Sequence, residues 1–198
     1  MKNKRVALGF SVFLFTLLLR ATYASMLEQW DTQKLTKESK SIQVGEVVTK
    51  WSSYDPERRM TYTYVKLKIN QTLKGVPQKE TLLRIPGGEA DGIRTVVHGV
   101  ANFRLKEKAL VFVNQAPDGA PEVVGMTQGK FNIHKDLVTG EEMAQFKVSR
   151  NVEFYTRSST IKRETRHVVS SHAERRLPLK DLIQEIQIAI RAEADMPP

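Results

Sequence analysis

The clearest alternation of apolar and polar side chains along the chain lies in residues 60–75. Two sets of side chains alternate there, with Thr61, Thr63, Val65, Leu67 and Ile69 on one face and Tyr62, Tyr64, Lys66, Lys68 and Asn70 on the other. A period of two residues predicts a long β-strand with one buried face. Lys74 and Gly75 predict the turn that ends this strand.

Shorter segments of β-type composition occur throughout residues 41–148 and are separated by turn residues. They are residues 41–51, 81–85, 93–97, 109–113, 122–126, 129–134 and 142–148. Short strands at this spacing predict a small barrel or sandwich. Gly45 interrupts the first segment, as is typical of a bulge or a tight bend. The 109–113 segment is apolar at every position, so we expect it to be central, with both faces buried.

The period changes near the end of the chain, in residues 177–195. The large aliphatic residues there are Leu179, Leu182, Ile183, Ile186 and Ile190, which recur at helical spacing. Pro178 precedes them and is favoured in the first turn of a helix. The pattern predicts an amphipathic C-terminal helix that docks on an open end of the barrel.

Residues 1–24 have the layout of a secretory signal peptide. Three positive charges precede an apolar run of 14 residues, and small residues lead up to Ala24. The run is shorter than the about 20 residues of a membrane span, although an uncleaved N-terminal anchor is the alternative. We therefore predict cleavage after Ala24, a bacterial periplasmic or extracellular location, and no membrane span in the mature protein.

Two further segments lack the β-type pattern. Residues 25–40 are polar and predict a lead-in with one short helix around residues 32–39. Residues 149–176 contain serine pairs, and six basic residues against two acidic ones between 157 and 176, so they predict a basic, mobile linker. The barrel domain is accordingly expected at residues 41–148.

Composition restricts the classes of protein and of partner. The 198 residues are 40% hydrophobic and 27% charged, which suits one domain with appendages. Removing residues 1–24 removes four basic residues, so 27 basic minus 22 acidic residues leave +5 from the formal +9. Such a charge mildly favours anionic surfaces but does not indicate a nucleic-acid binder. The absence of cysteine excludes disulfides, thiolate zinc sites and cysteine nucleophiles.

The sequence contains no pattern that indicates catalysis or a metal. The four histidines, His98, His134, His167 and His172, include no His-Glu-x-x-His pair, and neither a nucleophile elbow nor a phosphate loop occurs. Glu89 and Asp91 are two carboxylates in a glycine-rich loop, too few for a calcium site. We expect no enzyme activity, no metal and no cofactor.

Several motifs of the 41–148 domain resemble those of known proteins. They are Ile42 to Val48, the strand from Tyr62 to Lys74-Gly75, Pro86 to Glu89, Ala109 to Val113 and Gly125 to Phe131. Over residues 32–148 they resemble a family of uncharacterised exported bacterial proteins. Their order looks, more distantly, like the OB-type barrel of netrin-like and tissue-inhibitor-of-metalloprotease domains.

That resemblance implies a mainly β fold, a small OB-like or netrin-like β-barrel, here with a C-terminal helix. The inhibitors act through an N-terminal cysteine that chelates zinc. This chain has no cysteine, so the architecture is implied and that mechanism is not. A secreted protease is one partner that the resemblance implies.

The favoured function is an exported, non-enzymatic module that binds an exported protein or a cell-envelope component through surface loops. Two loops place glycines beside charged or amide side chains, which lets backbone N–H groups approach a ligand. The candidate residues are Gly87, Gly88, Glu89, Gln128, Gly129 and Lys130. The alternative for these glycines is that they only supply positive φ at turns.

A second hypothesis is a polyanion-binding OB-like domain. Tyr62, Tyr64, Lys66 and Lys68 lie on one strand face and resemble a platform that combines stacking with positive charge. Exposed tyrosines and lysines are also ordinary strand residues, and export disfavours nucleic acid as the target. An enzyme is the third class, with no residues that indicate it.

Overall fold

A computed structural model describes residues 25–147, 152–157, 166–169 and 174–195, and the predicted signal peptide lies outside them. The elements in chain order are β1 (Ser25–Glu28), α1 (Thr32–Lys37), β2 (Ser41–Asp55), β3 (Met60–Lys74), β4 (Glu80–Pro86), β5 (Gly88–Ala90), β6 (Ile93–Thr95), β7 (Lys108–Gln115), β8 (Pro121–Val123), β9 (Lys130–Lys135), β10 (Glu142–Phe146), β11 (Val152–Arg157), β12 (Arg166–Val169), β13 (Arg175–Pro178) and α2 (Leu179–Ala194). A short 3-10 turn, Met126–Gly129, precedes β9.

The main sheet is antiparallel and has the order β13-β10-β9-β7-β2-β3-β4, with β8 paired to β7. The prediction of a mainly β protein with a C-terminal helix is confirmed. β3 is a strand of 15 residues, as the alternation in residues 60–75 predicted, and it forms one long hairpin with β2, also of 15 residues. Gly45 lies at one of the register shifts of this hairpin, where an added Cβ would lie 2.7 Å from the Lys68 carbonyl oxygen.

β7 is central and is buried on both faces, which confirms the prediction for residues 109–113. It lies between β2 and β9. Leu110 and Phe112 contribute to a core on one side of the sheet, and Ala109, Val111 and Val113 contribute to a core on the other side. An apolar residue at every position therefore reflects a strand with no solvent-facing side.

The sheet is not closed into a barrel, which corrects the predicted small β-barrel. β4 lies beside β8, yet β4 forms its ladder only with β3. Side chains join the two strands instead: the Arg84 guanidinium donates to Asp118 Oδ1 at 3.0 Å and to Glu122 Oε1 at 2.8 Å. β8 has three residues and begins at Pro121, which lacks an N–H, so it offers little backbone for a second ladder.

α2 lies over one face of the sheet and not in a barrel end, which corrects its predicted docking. The predicted stripe is confirmed, because Leu179, Leu182 and Ile186 are buried against the core that contains Phe112. This core also contains Leu35 of α1, Val44, Leu110, Val124, Phe131, Ile133 and Ala144. We call this side of the sheet the helix face.

The segments flanking the domain contain secondary structure. A short helix, α1, forms within residues 32–39, and Asp31 caps it by accepting from the Lys34 N–H at 2.7 Å. Within residues 149–176, predicted as a linker, β11 and β12 pair with each other, β1 joins β11 in parallel, and β13 begins at Arg175. The β-branched and aromatic residues of 152–157 explain a strand there.

Candidate binding cleft

A cleft of about 270 Å³ opens on the side of the sheet opposite α2. We call it the apolar cleft. It is formed by the inner faces of β2, β3 and β4 together with the segment that follows β6. Its lining residues are Lys50, Thr63, Val65, Ile85, Pro86, Gly87, Gly88, Arg94, Thr95, Val96, Val97, Val100, Ala101, Asn102 and Phe103.

The floor of the apolar cleft is buried and the rim is polar. Val65, Ile85 and Phe103 are at most 5% exposed and belong to the core on this side of the sheet. Lys50 donates from Nζ to the Phe103 carbonyl oxygen at 2.9 Å and so fastens the covering segment to β2. The Arg94 guanidinium is exposed and bonds to no side chain that the structure describes.

Two of the predicted glycines form a wall of this cleft. Gly87 has φ +97° and Gly88 has φ +138°, conformations that L side chains rarely adopt. A Cβ at Gly88 would lie 2.6 Å from both Ser52 Oγ and Thr63 Oγ1. The backbone at this turn therefore requires glycine whether or not a ligand binds.

A second cavity of about 320 Å³ adjoins the apolar cleft, and we call it the basic cavity. Its lining residues are Val100, Asn102, Arg104, Glu107, Thr127, Lys130, Asn132, Gln145 and Lys147. Val100 and Asn102 line both spaces. One extended ligand can therefore contact the two cavities at once.

Lys130 forms the inner wall of the basic cavity and is engaged by the protein itself. Its side chain is 6% exposed and pairs with Glu107. Its ammonium also donates to the Asn102 carbonyl oxygen and lies 4.4 Å over the Phe103 ring. Burial lowers the pKa of Lys130, and the Glu107 carboxylate acts against that shift. Lys130 thus anchors the segment around residues 102–107.

Positive charge predominates around the two cavities. Their lining includes Lys50, Arg94, Arg104, Lys130 and Lys147, against a single lining carboxylate, Glu107. Because Lys130 and Glu107 neutralise each other, four cations remain at the rim. Within the described parts of the chain, the ammonium of Lys147 has one long ion-pair contact, 3.8 Å to Glu174. The arrangement favours an anionic ligand.

The remaining predicted loop residues do not line either cavity. Glu89 is exposed on β5, opposite Arg94 in the ladder. Gln128 is buried, accepts from the Trp30 N–H at 2.8 Å and donates to the Glu28 carbonyl oxygen at 2.9 Å. A Cβ at Gly129 would lie 2.1 Å from the Val124 carbonyl oxygen, so this glycine permits close backbone packing. The structure thus brings Gly87, Gly88 and Lys130 to neighbouring cavities and uses Gln128 and Gly129 for packing.

The proposed polyanion face is partly covered and carries acidic residues. Tyr62 is 7% exposed, with the Arg84 guanidinium 4.9 Å from its ring centre. Lys66 pairs with Glu80 at 2.7 Å. Tyr64 stacks on Trp51 with ring centres 5.5 Å apart, and Lys68 is exposed. Acidic partners on this face reduce its attraction for a polyanion.

Sequence reasoning missed Arg94, Asn102, Phe103 and Arg104. Arg94 lies in the three-residue strand β6, and the other three lie in a segment without helix or strand, where hydrophobic periodicity carries no information. Phe103 was the one usable indicator in the sequence, as an isolated aromatic residue beside the basic Arg104. A large apolar side chain outside a helix or strand is expected to pack against the core, which would bring its segment onto the sheet.

Across residues 25–147, 152–157, 166–169 and 174–195, no group of three or more histidine or carboxylate side chains is placed to hold a metal ion. Nor does any helix there have the length and apolarity of a membrane span. No protein-family model matches the chain, and no curated protein matches it significantly.

Proposed function

We propose that the protein is an exported, non-enzymatic binding module that holds a partner from the cell envelope or the exported proteins at the apolar cleft and the basic cavity. The observation that carries this proposal is that an apolar cleft and a basic cavity share the lining residues Val100 and Asn102. An apolar floor next to unengaged polar side chains is the general form of a binding site.

The chemistry of the lining supports binding over catalysis. The Thr63 hydroxyl is engaged, since it donates to the Gly87 carbonyl oxygen at 2.8 Å. Lys130 is held by Glu107 and the Asn102 backbone. The groups available to a ligand include Arg94, Arg104 and the Asn102 amide, which orient and attract but do not form a nucleophile and base pair.

Export is part of the proposal and is supported by residues 1–24, with their charged start, apolar run and small residues before Ala24. The intact mass of protein recovered from the periplasm or the medium tests it. We expect a chain that begins at Ser25, and a recovered species that retains residues 1–24 would refute the proposed cleavage.

We also propose that β2, β3, β4, β8 and β7 are an opened relative of the OB-type barrel. Support comes from their neighbour relations: β2, β3 and β4 form a meander, β7 pairs with β2 and β8, and β8 lies beside β4. OB folds are five-stranded, partly open Greek-key barrels. The resemblance to netrin-like inhibitors supports a secreted protein such as a protease as one partner.

Partner capture with matched variants tests the binding proposal. Val96 lines the apolar cleft and is 62% exposed, and Ile188 on α2 is 58% exposed and lines a separate cavity of about 500 Å³ between α1 and α2. We expect Val96→Asp to remove capture of a partner from an exported-protein extract, and Ile188→Asp to leave it unchanged. Both variants should keep the melting temperature of the wild type, because both side chains are exposed. Equal capture by the two variants would refute the cleft as the site.

A further inference from the structure

We propose that the ligand is an acidic polypeptide segment that places one apolar side chain in the apolar cleft and its carboxylates at the basic cavity. This inference rests on the binding function proposed above and names the class of partner.

The size of the apolar cleft indicates that one side chain of the ligand occupies it. Its volume of about 270 Å³ lies below the roughly 300–1,000 Å³ typical of pockets that enclose a drug-sized molecule. Its floor, at Val65 and Ile85, is closed by the core. A shallow pocket that takes one buried apolar anchor is typical of the centre of a protein interface.

Two guanidinium groups at the cavities indicate that the ligand carries carboxylates. Arg94 lies at the rim of the apolar cleft and Arg104 lines the basic cavity. Both are exposed, and neither bonds to a side chain within the described parts of the chain. Arginine binds carboxylates through two parallel N–H donors, which gives orientation as well as attraction. Lys50 and Lys147 add positive charge at the same openings.

Asn132 indicates a ligand that also carries hydrogen-bond donors. Its Oδ1 is buried in the wall of the basic cavity and has no hydrogen-bond partner among the described residues. A buried acceptor without a partner is costly, and a backbone N–H of a bound polypeptide would satisfy it. A deprotonated phosphate or carboxylate has acceptor oxygens but no donor, so it cannot form a hydrogen bond to Asn132 Oδ1. This acceptor favours a ligand with N–H or O–H donors, such as a polypeptide, over a bare phosphate or carboxylate.

The surroundings of the cleft fit a protein partner. Val96 and Leu105 are 62% and 60% exposed and flank the segment that lines both cavities. Exposed apolar side chains around a small pocket, with charged groups at its edge, are typical of an interface. The acidic segment would therefore contact apolar surface between its charged contacts.

Selection from a library of short random peptides displayed on phage tests the proposal on the full mature protein. We expect the enriched peptides to carry several Asp or Glu residues beside Leu, Ile, Phe or Met. Binding of a synthetic enriched peptide should weaken as salt rises from about 0.1 M to about 1 M, where the screening length falls from about 10 Å to about 3 Å.

Charge-reversal variants then locate the binding. The double variant Arg94→Glu, Arg104→Glu should bind the synthetic peptide with an affinity lower by about tenfold or more, because two attractive guanidinium contacts become repulsive. The control pair, Lys37→Glu and Arg191→Glu, reverses the same charge on the exposed sides of α1 and α2 and should leave binding unchanged. Vesicles rich in phosphatidylglycerol should not compete with the peptide.

Three results would overturn the proposal: enrichment of neutral or basic peptides, equal effects of the two charge-reversal pairs, or binding to the vesicles in place of the peptides. The Val96→Asp variant separates this failure from failure of the binding function. If non-acidic peptides are enriched and Val96→Asp still abolishes their binding, the cleft is the site and only the ligand class is wrong. If Val96→Asp has no effect on any enriched peptide, the proposed function fails too.

Discussion

The two faces of the central strands are covered in different ways. On the helix face, Leu182 and Ile186 of α2 are fully buried against Phe112 and its neighbours. On the opposite face, which we call the cleft face, the cover is the segment of residues 96–107, which has no helix or strand. That segment is held at separate points, by Lys50 at Phe103 and by Lys130 at Asn102.

The difference teaches how a cleft arises on a well-packed sheet. An amphipathic helix presents a continuous apolar stripe and can exclude water along its whole length. An irregular segment buries a few side chains, such as Ala101 and Phe103, and is fixed by polar contacts between them. The space left between those contacts is the apolar cleft.

The largest expected effect compares one phenylalanine on each face. Phe112→Ala should lower the free energy of unfolding by about 3–5 kcal/mol, because it leaves a closed void in the helix-face core. Phe103→Ala should cost less, since the void would join the apolar cleft and admit water. Chemical denaturation of both variants measures the difference. If Phe103→Ala proved the more costly, the cleft face would be the better sealed of the two.

The second test concerns the alternation of β3. Leu67 is fully buried in the cleft-face core, and Lys66 points to the other side and pairs with Glu80. Leu67→Ala should cost about 2–5 kcal/mol, as buried leucine truncations do. Its neighbour control, Lys66→Ala, should cost no more than about 0.5 kcal/mol because an exposed ion pair contributes little. Similar losses at both positions would contradict the assignment of the faces.

The third test concerns the ion pair that fastens the cleft-face cover. Lys130→Met should lower the free energy of unfolding by about 1–3 kcal/mol, because it leaves the Glu107 carboxylate partly buried without its partner. Adding Glu107→Leu should recover much of that loss, since a buried ion pair is often no more stable than apolar side chains in its place. A double variant as unstable as the sum of the two single variants would show that Lys130 and Glu107 are not coupled.

The smallest expected effect is a pH dependence of the stability that the Arg84–Asp118 pair contributes where β4 lies beside β8. The hydrogen bond from Arg84 lowers the pKa of Asp118 to about 2, below the about 3.9 of a free aspartate. A lowered folded-state pKa stabilises the protein above about pH 4, and this contribution is lost as the pH falls toward about 2. Asp118→Asn should therefore lower the melting temperature at neutral pH, and its curve should converge with the wild-type curve in acid.

Asp91→Asn is the matched control for that experiment, because Asp91 lies in an exposed turn. Its melting temperature should follow the wild-type curve at every pH. If Asp118→Asn also followed the wild-type curve, the Arg84–Asp118 pair would contribute no pH-dependent stability.

The fold could be predicted from the sequence where a pattern repeats. The alternation in β3, the apolar run in β7 and the helical stripe in α2 each report a local period, and each is present in the structure. The sequence could not predict that the sheet stays open between β4 and β8. The contacts there join residues 34 and 38 positions apart, from Arg84 to Asp118 and Glu122. No local pattern in the sequence distinguishes two strands joined by backbone hydrogen bonds from two strands joined by side-chain ion pairs.

The candidate site was predictable only in part, for the same reason. Gly87 and Gly88 mark their turn in the sequence and do line the apolar cleft. Arg94 on β6 and Arg104 become part of one surface only through the path of the irregular segment that connects them. Gln128 looked available for a ligand, but its amide is used by the backbone at Glu28 and Trp30. A polar side chain beside glycines is thus a weak indicator until its partners are known.

Site-specific blocking tests the central claim most directly, that the partner binds on the cleft face and not at the separate cavity between α1 and α2. The chain has no cysteine, so Val96→Cys and Ile188→Cys each introduce a single thiol at positions of similar exposure, 62% and 58%. Each variant would be coupled to a bulky maleimide, and binding of the selected peptide or captured partner measured before and after coupling. We predict that coupling at the Val96→Cys thiol abolishes binding and that coupling at the Ile188→Cys thiol leaves it unchanged. Full binding after coupling at position 96 would contradict the account.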